Sequence, residues 1–184
     1  MPEDWIAVLP FKGNGHSKTR LQLADSQQLA QQWLTRAVEQ CLAAPSIAQT
    51  WVVSLGDQLE LPPAARWMRQ QGSGLNEGLR EWASQQRPRR WLVVLPDLPW
   101  LTSAELEQLL QSCPAEGIAL APDRHRRGCN ALAVRGQCPE LVFGTDSFQR
   151  FQAQGLPQAV VESCGLANDV DTLDDWNCLA CQHR

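Results

Sequence analysis

Trp91-Leu92-Val93-Val94-Leu95-Pro96-Asp97-Leu98-Pro99-Trp100-Leu101-Thr102-Ser103-Ala104-Glu105 is the stretch on which the fold turns. Its first five residues form a continuous apolar run of the kind that suits a strand covered on both faces. Pro96 and Pro99 stop that strand, and Thr102 followed three residues later by Glu105 is a capping box that opens a helix to about Ser112. One strand, one tight turn and one helix therefore follow each other within about two dozen residues.

The same unit recurs on either side. Upstream, Trp5 to Leu9 is a strand ended by Pro10, and the positions Leu29, Ala30, Trp33, Leu34, Ala37, Val38, Cys41 and Leu42 mark an amphipathic helix from Ser26 to Ala44. Thr50 to Leu55 is a second strand, after which a helix is predicted to start near Pro62-Pro63. Gly72-Ser73-Gly74 breaks the chain before a helix from Leu75 to Gln86. Downstream, strands are predicted at Ile118 to Ala121, Ala131 to Val134 and Ala159 to Val161, with helices near Ser147 to Gln154 and from Thr172. Alternation of this kind, in six or seven strands without a linker or internal repeat, predicts one α/β domain over residues 1–184 with a largely parallel sheet.

Composition narrows the function. The 184 residues carry 16 Lys+Arg against 20 Asp+Glu, a net charge of -4, which removes the broad positive field that nucleic-acid binding requires. No apolar run approaches the ~20 residues of a membrane span and no signal-peptide pattern opens the chain, so a cytoplasmic protein is predicted. Seven cysteines are scattered through apolar and loop contexts and give no disulfide framework. Cys178 and Cys181 form a C-x-x-C without the second close pair of a structural zinc site, and are read as inert thiols. Eight tryptophans and no tyrosine point to core packing for most of the aromatics, and an exposed apolar strip could make a homodimer.

In open α/β sheets ligands bind beyond the carboxyl ends of the strands. After the first strand, Lys12, Lys18 and Arg20 flank Gly13-Asn14-Gly15, a flexible loop with three cations for a polyanion such as a triphosphate. Lys18 stands where a dinucleotide fingerprint wants its third glycine and G-K-[ST] is absent, so Rossmann and P-loop motifs are excluded. Asp97 follows a strand directly and is a candidate magnesium ligand or a plain turn residue. Asp169 and Asp171 share a face if their segment is extended, while Asp171 also reads as a helix N-cap. The loop between Ala121 and Ala131 reads as a hairpin with a basic tip, and Phe143-Gly144-Thr145-Asp146-Ser147-Phe148 places a glycine and hydroxyls at an incoming helix.

Taken in order, Pro10-Phe11-Lys12 with Ser17-Lys18-Thr19-Arg20-Leu21, Val52-Val53-Ser54, Gly74-Leu75-Asn76, Asp97-Leu98-Pro99, Ala121-Pro122-Asp123-Arg124, Gly128-Cys129-Asn130-Ala131-Leu132, Phe143-Gly144 with Ser147-Phe148, and Asp169-Val170-Asp171-Thr172 resemble the 2-phospho-L-lactate guanylyltransferase family (CofC/FbiD) of deazaflavin coenzyme F-420 biosynthesis. The resemblance spans almost the whole chain. It implies a Rossmann-like three-layer α/β/α sandwich of the nucleotide-diphospho-sugar transferase (GT-A-like) type, with a mostly parallel mixed sheet. It also implies transfer of GMP from GTP to 2-phospho-L-lactate, phosphoenolpyruvate or 3-phosphoglycerate, with release of pyrophosphate.

By the same resemblance Lys12, Gly13, Lys18 and Arg20 hold the GTP phosphates, with a lesser nucleotide role for Leu75 and Asn76. Asp97 and one or both of Asp169 and Asp171 hold Mg²⁺, and Cys129, Asn130, Gly144 and Ser147 contact the acceptor. No general base is needed, because the acceptor phosphate is already ionised near neutral pH. Three departures qualify this: Cys129 replaces the family's usual Thr, Pro96 precedes Asp97 where a small residue is more usual, and Gly56 separates Ser54 from Asp57, whereas relatives carry an acidic residue closer to the strand. The alternatives are a nucleotidyltransferase with a molybdopterin or sugar-phosphate acceptor, and a nucleotide-binding module without turnover.

Overall fold

The computed structural model describes residues 4–12, 26–56 and 59–170. Seven strands form one sheet: β1 (Trp5–Phe11), β2 (Ile47–Ser54), β3 (Arg66–Arg69), β4 (Arg90–Val94), β5 (Gly117–Pro122), β6 (Cys129–Arg135) and β7 (Gln158–Val160). Their order is β3-β2-β1-β4-β6-β5-β7. Every pairing is parallel except those of β6, which runs against both β4 and β5. Helices α1 (Ser26–Ala43), α2 (Leu75–Gln86), α3 (Ser103–Ser112), α4 (Ser147–Gln152) and α5 (Cys164–Ala167) complete the layers.

Period-two alternation assigns each strand's side chains to two cores. Ala7, Leu9, Leu92 and Val94 join Leu34 and Val38 of α1 and Leu106, Leu109 and Leu110 of α3. Val8, Trp91 and Val93 instead join Leu79 and Trp82 of α2 and Phe148 and Phe151 of α4. This is the three-layer mixed sandwich expected from the sequence. Trp5, Trp33, Trp82 and Trp91 are buried, and Trp82 packs against Trp91 with ring centroids 5.7 Å apart, in keeping with a packing role for the aromatics.

The capping box forms as read: Thr102 Oγ1 accepts from the Glu105 N–H at 3.4 Å, and Glu105 Oε2 accepts from the Thr102 N–H at 3.0 Å. Glu105 also reaches across the chain, its Oε1 accepting from the Gly165 N–H of α5 at 2.7 Å. α5 has no counterpart in the sequence reading.

Two local expectations are corrected. No helix starts at Pro62-Pro63; a turn closed by the Ala65 N–H on the Pro62 carbonyl leads into β3 instead. The segment is drawn into the sheet by parallel pairing of Arg66–Arg69 with Trp51–Ser54 and by a 2.9 Å bond from Trp67 Nε1 to Ser54 Oγ, contacts that outweigh local helix propensity. β1 also continues through Pro10 to Phe11. Its pairing with β4 stops at Val8↔Val93, so proline lies where β1 is an edge on that side and a missing N–H is tolerated. The helix predicted from Thr172 and the Cys178/Cys181 pair lie outside the described residues. No helix among the described residues is long and apolar enough to cross a membrane.

Candidate active site

Because β6 is reversed, its first residues lie at the same edge of the sheet as the carboxyl ends of β1, β4 and β5. A cleft of about 650 Å³ opens there. Its floor is Leu95, Asp97, Cys129 and Asn130 at the ends of β4 and β6, with Asp169 arriving from the segment after α5. Its rim is the β5–β6 connection, through Asp123, His125, Arg127 and Gly128, facing Gly144 to Ser147 ahead of α4.

The rim is built from side chains spent on backbone. Asp123 accepts three N–H groups, from His125 and Arg127 at 2.9 Å and from Gly128 at 2.7 Å, which closes the loop on itself. A β-carbon at Gly128 would sit 2.8 Å from Asp123 Oδ2, so any other residue there would push that carboxylate off its loop bonds. The buried Ser147 hydroxyl accepts from the Cys129 N–H at 2.9 Å, and the Phe148 N–H donates to the Arg127 carbonyl at 3.0 Å. Gly144, at φ +128°, supplies the backbone turn before this contact. Across the mouth, Arg127 Nε donates to Asp146 Oδ1 at 3.0 Å.

The floor depends on long-range contacts. Buried Asn130 donates through Nδ2 to the Leu166 carbonyl at 2.9 Å and to Asp169 Oδ1 at 3.2 Å. The Val170 N–H donates to the Asp97 carbonyl at 3.1 Å, and the Leu95 N–H donates to the Asn130 carbonyl at 2.9 Å. These bonds set Asp97 and Asp169 on one floor. Asp97 and Asp169 thus both line the cleft floor, and carboxylate oxygens are the donor type that suits a hard divalent cation. Among the described residues no group of three or more His, Cys, Asp or Glu is clustered for a metal, and the third expected acid, Asp171, lies outside them.

Of the residues singled out from sequence, Asp97, Cys129, Asn130, Gly144, Ser147 and Asp169 meet in this cleft. Lys12 is exposed at the end of β1, while Gly13, Lys18 and Arg20 lie outside the described residues. Asn76 is placed differently: its Nδ2 donates to the Phe143 carbonyl and its Oδ1 accepts from the Phe143 N–H, both at 2.9 Å. It therefore fixes the approach to Gly144, and Leu75, the first residue of α2, is partly buried against the core on that face of the sheet. The Cys129 thiol is buried, donates to the Ala131 carbonyl at 3.1 Å, and is pushed by desolvation up to about 12. It stays protonated at neutral pH and is not a nucleophile. Sequence reasoning gave no role to Asp123, Arg127 and Asp146, although Asp123 stood in the Ala121-Pro122-Asp123-Arg124 motif of the resemblance and five residues before a glycine.

Comparison with known proteins agrees with this geometry. Residues 5–181 match the model of the family described as "Guanylyl transferase CofC like". The phosphoenolpyruvate guanylyltransferase of Sphaerobacter thermophilus is 39% identical over 95% of this chain and 92% of its own length. The 2-phospho-L-lactate guanylyltransferase of Methanopyrus kandleri is 27% identical over 91% and 87%. Among solved structures, one from Desulfovibrio desulfuricans assigned to the nucleotide-diphospho-sugar transferases superposes with a TM-score of 0.77 at 19% identity, covering 100% of this chain and 89% of that one. A Mycobacterium tuberculosis protein solved in complex with manganese gives 0.63 at 17% identity, covering 97% and 98%. The fold is thus that of the nucleotide-diphospho-sugar transferases, and the chain belongs to the CofC-like guanylyltransferase family.

Proposed function

We propose that this enzyme transfers GMP from GTP to the phosphate of a small phospho-acid with release of pyrophosphate, in deazaflavin coenzyme F-420 biosynthesis. Phosphoenolpyruvate is the first acceptor of this reading, ahead of 2-phospho-L-lactate and 3-phosphoglycerate, because the 39% identical relative bears its name. The observation that carries the reading is that the acid pair Asp97 and Asp169 and the acceptor set Cys129, Asn130, Gly144 and Ser147 line one cleft of about 650 Å³. That volume falls within the range of small-molecule sites.

In this reading Lys12, Lys18 and Arg20, with backbone N–H groups around Gly13, hold the triphosphate at the end of β1. Leu75 and Asn76 act at one remove, Asn76 through Phe143. Asp97 and one or both of Asp169 and Asp171 would hold a Mg²⁺ ion, which would supply neutralisation of phosphate charge there. Cys129, Asn130, Gly144 and Ser147 orient the phospho-acid so that a phosphate oxygen attacks the α-phosphorus in line, forming a P–O bond as the bond to the β-phosphate oxygen breaks. The acceptor oxygen needs no base, and the protonated Cys129 thiol offers none.

Pyrophosphate release, measured with Mg²⁺, each nucleoside triphosphate and each of the three phospho-acids, tests the proposal. Turnover with GTP and one phospho-acid is expected. Silence in every combination with GTP binding intact would sink it in favour of another acceptor or a binding module.

A further inference from the structure

The mouth of the cleft holds an ion pair to which guanylyl transfer as described assigns no role. Arg127 and Asp146 are joined at 3.0 Å, with side chains 65% and 49% exposed, and both line the cleft beside Gly144 and Ser147. The backbone on each side is fixed. The Arg127 N–H is held by Asp123 Oδ1 and its carbonyl by the Phe148 N–H, while the Asp146 carbonyl accepts from the Arg150 N–H at 3.1 Å. Only the two side chains are left to move.

A carboxylate at the entrance of a chamber for an anionic ligand repels that ligand unless a cation covers it. Arg127 covers it here, but an ion pair exposed to this degree is weakly held. The same guanidinium gains more from a carboxylate or phosphate inside the cleft, where its planar fork can engage two oxygens and water is partly excluded. We propose that Arg127 is a binding residue for the acceptor, leaving Asp146 to grip an anionic group of the incoming phospho-acid. Asp146 is the competing counter-ion that parks the arm between turnovers. The inference rests on the proposed function for the identity of its ligand as a small phospho-acid.

Calorimetric titration of phosphoenolpyruvate into the protein, with Mg²⁺ and a GTP analogue whose α,β-bridge cannot be cleaved, reads this without turnover. Arg127→Ala is expected to weaken phosphoenolpyruvate binding about tenfold, as befits a lost hydrogen bond between charged groups, and Arg127→Lys by a smaller factor. Asp146→Asn, which suits the left-handed backbone at φ 53°, is expected to tighten it about threefold. Affinity for the analogue should be unchanged in all three. A merely structural clamp would not strengthen acceptor binding when Asp146 is neutralised. Arg127→Ala binding like wild type, equal losses for both ligands, weaker binding in Asp146→Asn, or a wild-type protein that binds no phosphoenolpyruvate would each overturn the proposal. Phosphoenolpyruvate binding without pyrophosphate release in the parallel assay with GTP would instead overturn the transfer reading and leave Arg127's role standing.

Discussion

The rim and the floor of the cleft are held by different kinds of contact. On the rim, Asp123 bonds N–H groups two to five residues away, a local scaffold that the Ser147 hydroxyl on the Cys129 N–H and the Ala167 carbonyl on the Arg124 N–H brace from farther along the chain. On the floor, Asn130 bonds partners 36 and 39 residues away, and Asp97 is tied to Val170 from the far end of the described chain. A locally closed loop can change its outward side chains without disturbing its path. A floor assembled from distant segments instead ties the acid pair to the packing of the sheet, α3 and α5.

The comparison can be broken most severely at the floor. On the proposed function, Asp97→Ala should lower guanylyl transfer by roughly two to three orders of magnitude, out of proportion to any change in Tm, because the role proposed for its carboxylate is charge stabilisation of the reacting phosphates. Steady-state pyrophosphate release alongside thermal unfolding checks both halves. Asn130→Ala should cost activity and stability together: about tenfold or more in divalent-ion affinity through the loss of Asp169 orientation, and ~1–3 kcal/mol from stranding the buried Leu166 carbonyl. Metal titration of activity and urea unfolding read the two effects separately.

On the rim, Asp123→Ala strands three N–H groups that are partly solvent-accessible and should lower stability by about 1–2 kcal/mol. It should raise the acceptor KM and leave the GTP KM unchanged, and a matched rise in both would contradict the division between rim and floor.

The smallest effect concerns the buried thiols. Cys41 and Cys129 ionise only at about 12 in the folded chain, against an ordinary value of 9.0. As pH rises past 9 the unfolded chain loses these protons first, so stability is undiminished below pH 9 and declines between 9 and 12. Urea midpoints at pH 8 and pH 10 should show that decline, with a shallower slope in Cys41→Ala. Iodoacetamide at pH 8 should label the exposed Cys138 and Cys164 in native protein and spare Cys41, Cys113 and Cys129.

What could be read from the sequence follows the same division. The β4–turn–α3 unit was legible because its signals are adjacent: an apolar run, two prolines, and a Thr102–Glu105 pair that bonds within one turn. β3 was not, since Arg66–Arg69 is a strand only by virtue of β2 beside it. Asp97 was a candidate by its position after a strand and by resemblance, and Asp169 by the face it would share with Asp171 and by resemblance, but the bond from Asn130 to Asp169 was invisible, because 39 residues separate the two. Arg127 and Asp146 each read as ordinary loop charges until the fold set them across one opening.

The reversal of β6 has a consequence for how such a chain can diversify. It brings the exit of β5 and the entrance of β6 to the same edge of the sheet, so that residues 123–128 form a short tether between two ligand-facing positions. Lengthening or shortening that tether would reshape the cleft while leaving β1 in place. On the proposed function, acceptor preference would drift through insertions in a single hairpin, and a designer seeking a new phospho-acid would start by varying its length.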